Sequence, residues 1–253
     1  MCGARMLPCD LRYALARAPG VKRLYSRLVG LNRLTIAPVL GGPLRGSLIQ
    51  FDPAVENRYW GGDYEADAQE LLARLPIDGA VAWDVGAHVG FFSLLLARRC
   101  RQVTAIEPGP GNAERLRTNV KLNNAPIEVV EAAVGRVPGT AMLTVMADGR
   151  TNHVAPPDAP GIAVPQVTLD QLAELYGFPD FVKIDIEGAE LDALLGANAV
   201  LAARPLLLVE AHSPALVEQV TELLGSHGYA VERLGGPPGG RTFVPTRLIA
   251  RAG

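Results

Sequence analysis

The chain has 253 residues, 49% hydrophobic and 20% charged, so it can bury a large core, and we expect one main domain with an extension. Its formal net charge of −2 provides no global field for polyanions, and we expect no nucleic-acid partner. Three cysteines without paired metal spacing argue against a zinc site and fit a reducing cytoplasm. No apolar run approaches the roughly 18 residues that a membrane span requires.

The first 35 residues are basic. They carry seven arginine or lysine side chains against the single acid Asp10, and leucines recur among them at near-helical spacing. We predict a basic helical arm, with residues 1–57 as an N-terminal extension and residues 58–253 as the main domain. Such an arm is typical of a solvated helix packed on the main domain, of a helix that contacts a membrane surface or a partner, or of a transit-peptide remnant.

Beyond the arm, short apolar runs alternate with helical patterns. The runs predicted as strands are Ala80–Asp84, Val103–Glu107, Ile127–Glu131, Phe181–Ile186 and Leu206–Glu210. Helices are predicted at Phe91–Arg99 and Asn112–Leu122. Because the strands are apolar on both faces, helices must cover both sides of the sheet, which indicates a parallel doubly wound sheet. Tyr229–Leu234 and Thr242–Ala250 predict an antiparallel hairpin at its edge.

A long segment separates the third and fourth strands. Within it, Thr140–Val145 predicts a strand, and Thr168 with Gln171 has the spacing of a capping box at a helix start. The stretch Ala147–Pro165 is rich in proline and glycine and too long for a simple connection. We expect a loop over the active site there, with His153 as a candidate substrate contact.

The turn after the first strand, WDVGAHVGFF at residues 83–92, predicts a ligand site, because its N–H groups should point at the crevice at the strand ends. A dinucleotide-binding turn would have a glycine between Gly86 and Gly90, which argues against a nicotinamide oxidoreductase. Asp84 would repel a pyrophosphate but can accept hydrogen bonds from an ammonium group. Glu107, about 20 residues on, stands where an acid binds ribose hydroxyls. A ligand with both an amino acid and a ribose is S-adenosylmethionine.

A set of motifs carries a resemblance to a known family. The motifs are Tyr59–Glu65, Asp84–Gly90, Ala105–Pro108, Asn119–Asn124, Ala132–Gly135 and Phe181–Glu190. Over residues 58–249 the chain resembles the FkbM-type family of S-adenosylmethionine-dependent methyltransferases, and the string Lys183–Glu190 is the most specific part. The sequence departs from the family at His88, where asparagine is usual.

The resemblance implies the α/β fold of class I methyltransferases, a Rossmann-like sheet in the order 3-2-1-4-5-7-6 with the last strand antiparallel. Members of the family mostly methylate hydroxyl oxygens of sugars, polyketides and other secondary metabolites. By position, Gly86 and Gly90 would approach the methionine part of the donor and Glu107 its ribose. The remaining candidates for donor contacts are Asp84, His88, Glu131, Ala132, Asp185 and Glu187, with Glu131 and Ala132 near the adenine.

Methyl transfer to a hydroxyl is an in-line displacement at a sulfonium, so the enzyme must aim the acceptor oxygen and remove its proton. In the implied strand order Asp185 and Glu210 are neighbours and His212 follows on the same rim, so these are the catalytic candidates. Two close carboxylates repel each other unless a cation or a shared proton intervenes. Two chemistries stay open: Mg²⁺ bound by Asp185 and Glu210, or His212 or His153 as a general base that Asp185 orients.

Some of these acids also have structural explanations. Lys183 has the strand parity of Asp185, and a lysine in a buried strand needs a counter-charge, so the two predict an ion pair. Glu187 and Glu190 stand in the first turn of the next helix, where the helix dipole stabilises acids.

The sequence therefore predicts a cytoplasmic, S-adenosylmethionine-dependent O-methyltransferase that acts on a hydroxyl of a small molecule or sugar. The alternatives are an N-methyltransferase and a membrane-associated, non-catalytic module that binds S-adenosylmethionine. A nucleobase amino-methyltransferase would have a proline-proline-aromatic stretch after the fourth strand. The sequence Asp185-Ile186-Glu187-Gly188 at that place favours an oxygen acceptor.

Overall fold

The structure is a computed structural model that describes residues 34–53, 55–145, 152–155, 161–234 and 245–252. The contacts divide the chain into two compact units. Unit 1 is the part of the chain before Ile77 together with Thr118–Ala125, and unit 2 is Ile77–Arg117 with Pro126–Gly253. The predicted basic arm lies almost wholly outside the described residues, and the domain boundary after residue 57 stays a prediction.

Unit 1 contains a two-stranded antiparallel sheet, β1 (Thr35–Pro38) and β2 (Leu48–Phe51), and the helices α1 (Asn57–Gly61) and α2 (Ala66–Arg74). Two asparagines of the motif at 119–124 hold the backbone of β2. Asn119 Oδ1 accepts from the N–H of Gln50 (2.7 Å), and the Asn123 amide bonds both the N–H and the carbonyl of Leu48 (2.9 and 2.7 Å). This part of the family resemblance therefore has a structural role.

Unit 2 contains most of the regular structure. Its strands are β3 (Val81–Val85), β4 (Gln102–Ile106), β5 (Ile127–Val130), β6 (Ala133–Val134), β7 (Gly139–Val145), β8 (Asn152–Ala155), β9 (Ile162–Val167), β10 (Phe181–Ile184), β11 (Leu206–Ala211), β12 (Tyr229–Leu234) and β13 (Thr246–Ala252). Its helices are α3 (Phe91–Leu96), α4 (Pro110–Asn123, whose last turns belong to unit 1), α5 (Leu169–Tyr176), α6 (Glu190–Leu195), α7 (Asn198–Ala202) and α8 (Pro214–Ser226). We call residues 86–90 the β3–α3 turn.

Within the described residues, seven of these strands form the main sheet in the order β12-β13-β11-β10-β3-β4-β5. Strands β5, β4, β3, β10 and β11 are parallel, and β13 runs antiparallel between β11 and β12. This is the order 3-2-1-4-5-7-6 that the resemblance implies, so the predicted fold is confirmed. The predicted hairpin is present, with β12 as the edge strand.

Helices cover the main sheet, which explains its apolar strands. Every residue of β3 and β10 is buried, and Trp83 and Phe181 are among the largest fully buried side chains. On one face Trp83 and Val182 belong to a core that also contains Leu169 of α5, Leu194 of α6 and Val220 of α8. Burial on both faces is what the continuous apolar runs predicted.

The segment between β5 and β10 differs from the expected loop. Strands β8 and β9 pair antiparallel with β7, and β9 also pairs with β6, so this part of the chain builds a second, small sheet. The loop prediction for Ala147–Pro165 is wrong where β8 and β9 lie, because backbone pairing with β7 outweighs the local preference of proline and glycine for turns. Residues 146–151 and 156–160 lie outside the described residues. The capping box of Thr168 and Gln171 at the start of α5 is confirmed.

Among the described residues no helix combines the length and the apolar character needed to cross a membrane.

Candidate active site

The β3–α3 turn has a left-handed backbone at Gly86 (φ 86°), His88 (φ 50°) and Gly90 (φ 89°). A Cβ atom on Gly86 would overlap the carbonyl oxygen of Asp185, and one on Gly90 would overlap Leu116 Cδ1. Packing and backbone conformation therefore require glycine at both positions without any ligand. Contact of these glycines with a methionine moiety stays a prediction.

Three N–H groups of this turn donate hydrogen bonds to carbonyl groups of the protein. Gly86 and Ala87 both donate to the carbonyl of Ile106 (2.9 and 3.0 Å), and Gly90 donates to the carbonyl of Ala87 (2.8 Å). For the N–H groups of Gly86, Ala87 and Gly90 the expectation that they point at a ligand is wrong, because the left-handed residues fold the turn back on itself and onto the end of β4. The turn therefore determines the course of the backbone at this edge of the sheet.

His88 occupies the position where the family usually has asparagine. Most side chains disfavour the left-handed region, but Asn, Asp and His enter it more readily than the others, so the exchange preserves the backbone. The N–H of His88 donates to Glu107 Oε2 (2.9 Å), and the ring atom Nε2 is buried. The contact with Glu107 comes from the main chain of His88, and a contact of the ring with the donor stays a prediction.

Glu107 follows β4 directly and is only 4% exposed. Besides the N–H of His88, it accepts hydrogen bonds at Oε1 from the N–H of Gly109 (2.9 Å) and from Asn112 Nδ2 (3.2 Å). Burial raises the pKa of Glu107, and these hydrogen bonds oppose the rise. Among the described residues the donors fill three of the roughly four acceptor positions of a carboxylate, which leaves one for a ligand hydroxyl.

Lys183 is buried on β10 and lies between two carboxylates. Its Nζ is 3.0 Å from Asp185 Oδ2 and 3.7 Å from Asp84 Oδ1, and it stands 5.0 Å from the centroid of the Phe92 ring. The ion pair predicted from strand parity is confirmed. Burial opposes the ionisation of Asp185, but Lys183, followed by His212, outweighs it and lowers the pKa of Asp185 below its ordinary value.

Asp84 is fully buried in β3. Its Oδ2 accepts a hydrogen bond from Ser93 Oγ of α3 (2.6 Å), and its Oδ1 has no hydrogen bond among the described residues. Burial raises the pKa of Asp84, while Lys183 and Ser93 oppose the rise. Because the nearby ammonium group is that of Lys183, the protein itself accounts for an acid at this position, and a contact of Asp84 with the donor stays a prediction.

Next to this ion pair lies a group that we call the histidine cluster: Asp185, Glu187, Glu190 and His212. His212 Nδ1 is 2.9 Å from Glu190 Oε1, and its Nε2 is 3.5 Å from both Asp185 Oδ1 and Glu187 Oε2. Burial lowers the pKa of the His212 ring, but the hydrogen bond and charge of Glu190, followed by the other two acids, raise it to about 9. The imidazolium is therefore the main form at neutral pH.

Glu210 has a different partner from the one predicted. Arg247 Nε donates to Glu210 Oε2 (3.1 Å) from the position directly opposite in the antiparallel β13. Since Lys183 neutralises Asp185 and Arg247 neutralises Glu210, the repulsion that suggested an ion between the two acids is relieved by the protein. The structure does bring potential ligand atoms of Asp185, Glu187 and His212 within 4.8 Å of one another, which is close enough for a metal ion.

Of the other predicted residues, Glu131 and Ala132 lie at the end of β5, at the same edge of the main sheet. Glu131 follows β5 and pairs with Arg117 Nη1 (2.7 Å), and Ala132 is buried beside it. His153 lies in β8, and its side chain is outside what the structure describes. Adenine binding near Glu131 and Ala132 stays a prediction.

Glu190 is the functional candidate that the sequence did not reveal. The helix dipole explained an acid at the start of α6, and a dipole alone is compatible with an exposed side chain. The structure instead buries Glu190 completely and turns it towards His212, 22 residues away in sequence. The available signal was its place as the last acid of the specific string that begins at Lys183.

S-adenosylmethionine fits this edge of the sheet. The open acceptor position of Glu107 suits a ribose hydroxyl, and Glu107 ends β4 at the carboxyl edge of the parallel strands, where α/β sheets bind their ligands. Glu107 is therefore the residue that best supports a nucleoside at this site.

Comparisons with known proteins agree with this geometry. Residues 84–231 match the methyltransferase FkbM domain. The hexuronic acid methyltransferase AglP of Haloferax volcanii is 27% identical over 175 residues, which cover 66% of this chain and 71% of that protein. The crystal structure of methyltransferase FkbM from Methylobacillus flagellatus KT is 22% identical with a TM-score of 0.55, and the match covers 70% of this chain but only 45% of that one.

A further solved structure, M. jannaschii TYW2 in complex with AdoMet, is 16% identical with a TM-score of 0.53, covers 88% of this chain and 87% of that one, and shares the fold. The FkbM domain match spans more than half of the 253 residues. It begins at Asp84 near the end of β3 and contains β4, β10 and β11 with the acids that follow or end them. The chain therefore belongs to the FkbM methyltransferase family and is an S-adenosylmethionine-dependent methyltransferase.

Proposed function

We propose that this methyltransferase transfers its methyl group to a hydroxyl oxygen of a sugar or another small molecule. The histidine cluster carries the proposal, because it holds a histidine at the carboxyl end of β11 beside Asp185 and Glu187. A hydroxyl must lose its proton as it is methylated, and histidine is the most frequent general base in enzymes. An amine acceptor has less need of such a group.

In this proposal the donor, when bound, supplies a methyl group on a sulfonium sulfur that is already activated for displacement. Glu107 holds its ribose through the open acceptor position. The other contacts proposed from the family resemblance are Asp84, Gly86, His88, Gly90, Glu131, Ala132, Asp185 and Glu187.

His212 accepts the proton of the acceptor hydroxyl at Nε2, and Asp185, fixed by Lys183, stabilises the imidazolium that forms. The pKa of His212 is about 9. Below pH 9 the neutral fraction of its ring therefore increases about tenfold for each unit by which the pH is raised. We therefore expect kcat to rise with pH and to level off near pH 9. A profile that is flat from pH 7 to pH 9 would remove His212 from this role.

The similarity to a hexuronic acid methyltransferase supports a sugar as the acceptor. The direct test incubates the protein with S-adenosylmethionine and a panel of hexuronic acid glycosides, neutral hexosides and amino sugars, and follows the release of S-adenosylhomocysteine. Product NMR then distinguishes a methyl ether from a methyl ester or a methylamine. We expect a methyl ether, whereas a methylamine would support the N-methyltransferase alternative.

His212→Gln should lower kcat by roughly 10²-fold or more and leave the affinity for S-adenosylhomocysteine unchanged. The matched control is His227→Gln, because His227 is the C-cap of α8 and lies outside the cluster. Binding of S-adenosylhomocysteine with no transfer to any acceptor would favour the non-catalytic alternative.

The protein cations beside Asp185 and Glu210 favour a mechanism in which His212, without a divalent ion, receives the proton. Activity should then persist in a chelator. Loss of activity in the chelator and its return with added Mg²⁺ would favour an ion at Asp185, Glu187 and His212.

A further inference from the structure

Glu190 makes more contacts than a helix-dipole residue needs. Its Oε1 accepts hydrogen bonds from the N–H groups of Ile186 (3.3 Å) and Gly188 (3.1 Å) and lies 2.9 Å from His212 Nδ1. The residue is fully buried, and its Oε2 has no hydrogen bond among the described residues. Burial of a carboxylate is costly, so its contacts at Oε1 must compensate.

The loop between β10 and α6 holds Glu190 in place independently of the histidine. Glu187 (φ 54°) and Gly188 (φ 111°) have left-handed backbones, and this turn brings two main-chain N–H groups onto Glu190 Oε1. A carboxylate that is anchored in this way presents one fixed acceptor to the imidazole ring. The ring must adapt to Glu190, because the loop fixes the position of the carboxylate.

We propose that Glu190 is a positioning residue that fixes the tautomer of His212, keeping the Nδ1 proton so that Nε2 faces Asp185 and Glu187. In neutral imidazole one nitrogen is a donor and the other an acceptor, so a donor at Nδ1 leaves the acceptor lone pair at Nε2. This inference rests on the proposed function for its catalytic meaning. Glu190 itself does not touch the reacting atoms.

With this tautomer Nε2 of His212 can take up the proton that the acceptor hydroxyl loses. The acceptor O–H bond breaks and its proton goes to His212 Nε2, while the oxygen electron pair forms the new bond to the methyl carbon. The carbon–sulfur bond breaks with its electrons on the sulfur, and the imidazolium later releases its proton to water.

The charged groups around the ring come from several elements. Glu190 of α6 faces Nδ1, and Asp185 and Glu187 of the β10–α6 loop face Nε2. Lys183 and Arg247 act on Asp185 from β10 and β13. Of these acids Glu190 is the fully buried one, whereas Glu187 is 43% exposed, so Glu190 should have the largest effect on the ring.

The first test uses the unmodified protein and reads the tautomer by nitrogen NMR of the histidine rings, with His212 assigned by its absence in His212→Gln. Above the titration midpoint of His212 we expect the Nδ1–H form, although histidine in water favours Nε2–H. Observation of the Nε2–H form would overturn the proposal. This measurement does not depend on the folding of any variant at position 190.

The second test is Glu190→Gln, whose amide oxygen can still accept from the ring and the loop but carries no charge. The NMR midpoint of His212 should fall by about one pH unit, and the pH midpoint of kcat should fall with it. The control is Asp192→Asn, because Asp192 lies in the same helix and pairs with Arg136 at the surface (3.7 Å). It should change neither midpoint. Lower activity in Glu190→Gln with both midpoints unmoved would indicate a purely structural role and overturn the proposal.

The two proposals fail separately. The Nδ1–H tautomer without methyl transfer to any acceptor would count against the proposed function. Methyl transfer by a protein whose His212 carries the Nε2–H tautomer would count against the role of Glu190.

Discussion

Two regions at the carboxyl edge of the main sheet hold buried acids by different means. At the ends of β3 and β4, Glu107 is held by main-chain N–H groups and an asparagine amide, which do not titrate. In the histidine cluster Asp185 is held by the ammonium group of Lys183, and Glu190, which two main-chain N–H groups also anchor, bonds the imidazolium of His212. Neutral donors fix a geometry at any pH, whereas a cation and a histidine make the second region sensitive to charge and to pH.

This difference matches the two tasks of a methyltransferase. A donor site needs a constant shape for a molecule that is bound in every turnover. A site that removes a proton needs a group whose protonation changes near the working pH. The proposed function therefore predicts that the Glu107 region binds the donor and that the histidine cluster takes up the proton. Substitutions in either region test this division.

The largest effect is expected for Lys183→Met, which removes the cation between Asp84 and Asp185 and fills a similar volume. We expect the free energy of unfolding to fall by about 3 kcal/mol, because loss of one partner of a buried ion pair leaves an uncompensated charge. Urea denaturation measures this change. The double variant Lys183→Met with Asp185→Asn should lose less than the sum of the two single variants.

The control for this prediction is Arg233→Met, because Arg233 forms a two-point pair with Glu218 at the surface (2.8 and 2.9 Å). Because solvent screens this exposed pair, its loss should lower the free energy of unfolding much less than Lys183→Met does. If Lys183→Met costs no more than the control, cations do not hold the histidine cluster together.

The next effect concerns the region around Glu107, where uncharged donors hold the acid; we call it the neutral region. Glu107→Ala removes the proposed ribose acceptor, and we expect the dissociation constant for S-adenosylhomocysteine to rise roughly 10²-fold, since a hydrogen bond to a charged group contributes about 1.5–3 kcal/mol. Isothermal calorimetry provides the measurement. Glu128→Ala, on the exposed side of the neighbouring β5, should bind as the unmodified protein does. Equal affinity in Glu107→Ala would exclude Glu107 from the donor site.

A smaller effect follows from the titration of His212. Its pKa is raised from 6.5 to about 9, so it contributes stability that is fully present below pH 6.5 and is lost as the pH rises through about 9. Urea denaturation measures the difference in the free energy of unfolding between the unmodified protein and His212→Gln. Over this pH range that difference should decrease by an amount of the order of 1 kcal/mol, after allowance for solvent screening.

Asp185 acts with the opposite sign, because its pKa is lowered from 3.8. Its contribution is present above pH 3.8 and is lost as the pH falls through the lower value, so the two titrations are well separated. A stability difference between the unmodified protein and His212→Gln that stays constant from pH 6 to pH 10 would contradict the charge of His212.

Local patterns predicted what local physics determines. The apolar runs gave β3, β4, β10 and β11 to within two residues at each end, because burial on both faces requires apolar side chains. The pair of Lys183 and Asp185 followed from their spacing of two along one extended stretch. Neither inference needs any knowledge of distant parts of the chain.

Contacts between distant segments were not predicted. Arg247 reaches Glu210 only because β13 enters antiparallel beside β11, and the string at 181–190 contains no sign of that register. The pairing of β8 and β9 with β7 is likewise non-local. Glu190 reaches His212 through a loop whose left-handed residues fall on Glu187 and Gly188, and an ordinary glutamate gives no indication of such a backbone.

The smallest effect is expected at His88, and it tests whether the ring of this residue belongs to the neutral region around Glu107. His88→Asn should change the free energy of unfolding by less than about 0.5 kcal/mol, because asparagine enters the left-handed region readily and the N–H bond to Glu107 is kept. His88→Val should cost about 1–2 kcal/mol more, since a branched side chain is strained there. The same pair of substitutions at His227, where φ is −89°, should differ much less. If His88→Asn keeps its stability but binds S-adenosylhomocysteine more weakly, the ring itself contacts the donor, and the neutral region then includes a side chain that can titrate.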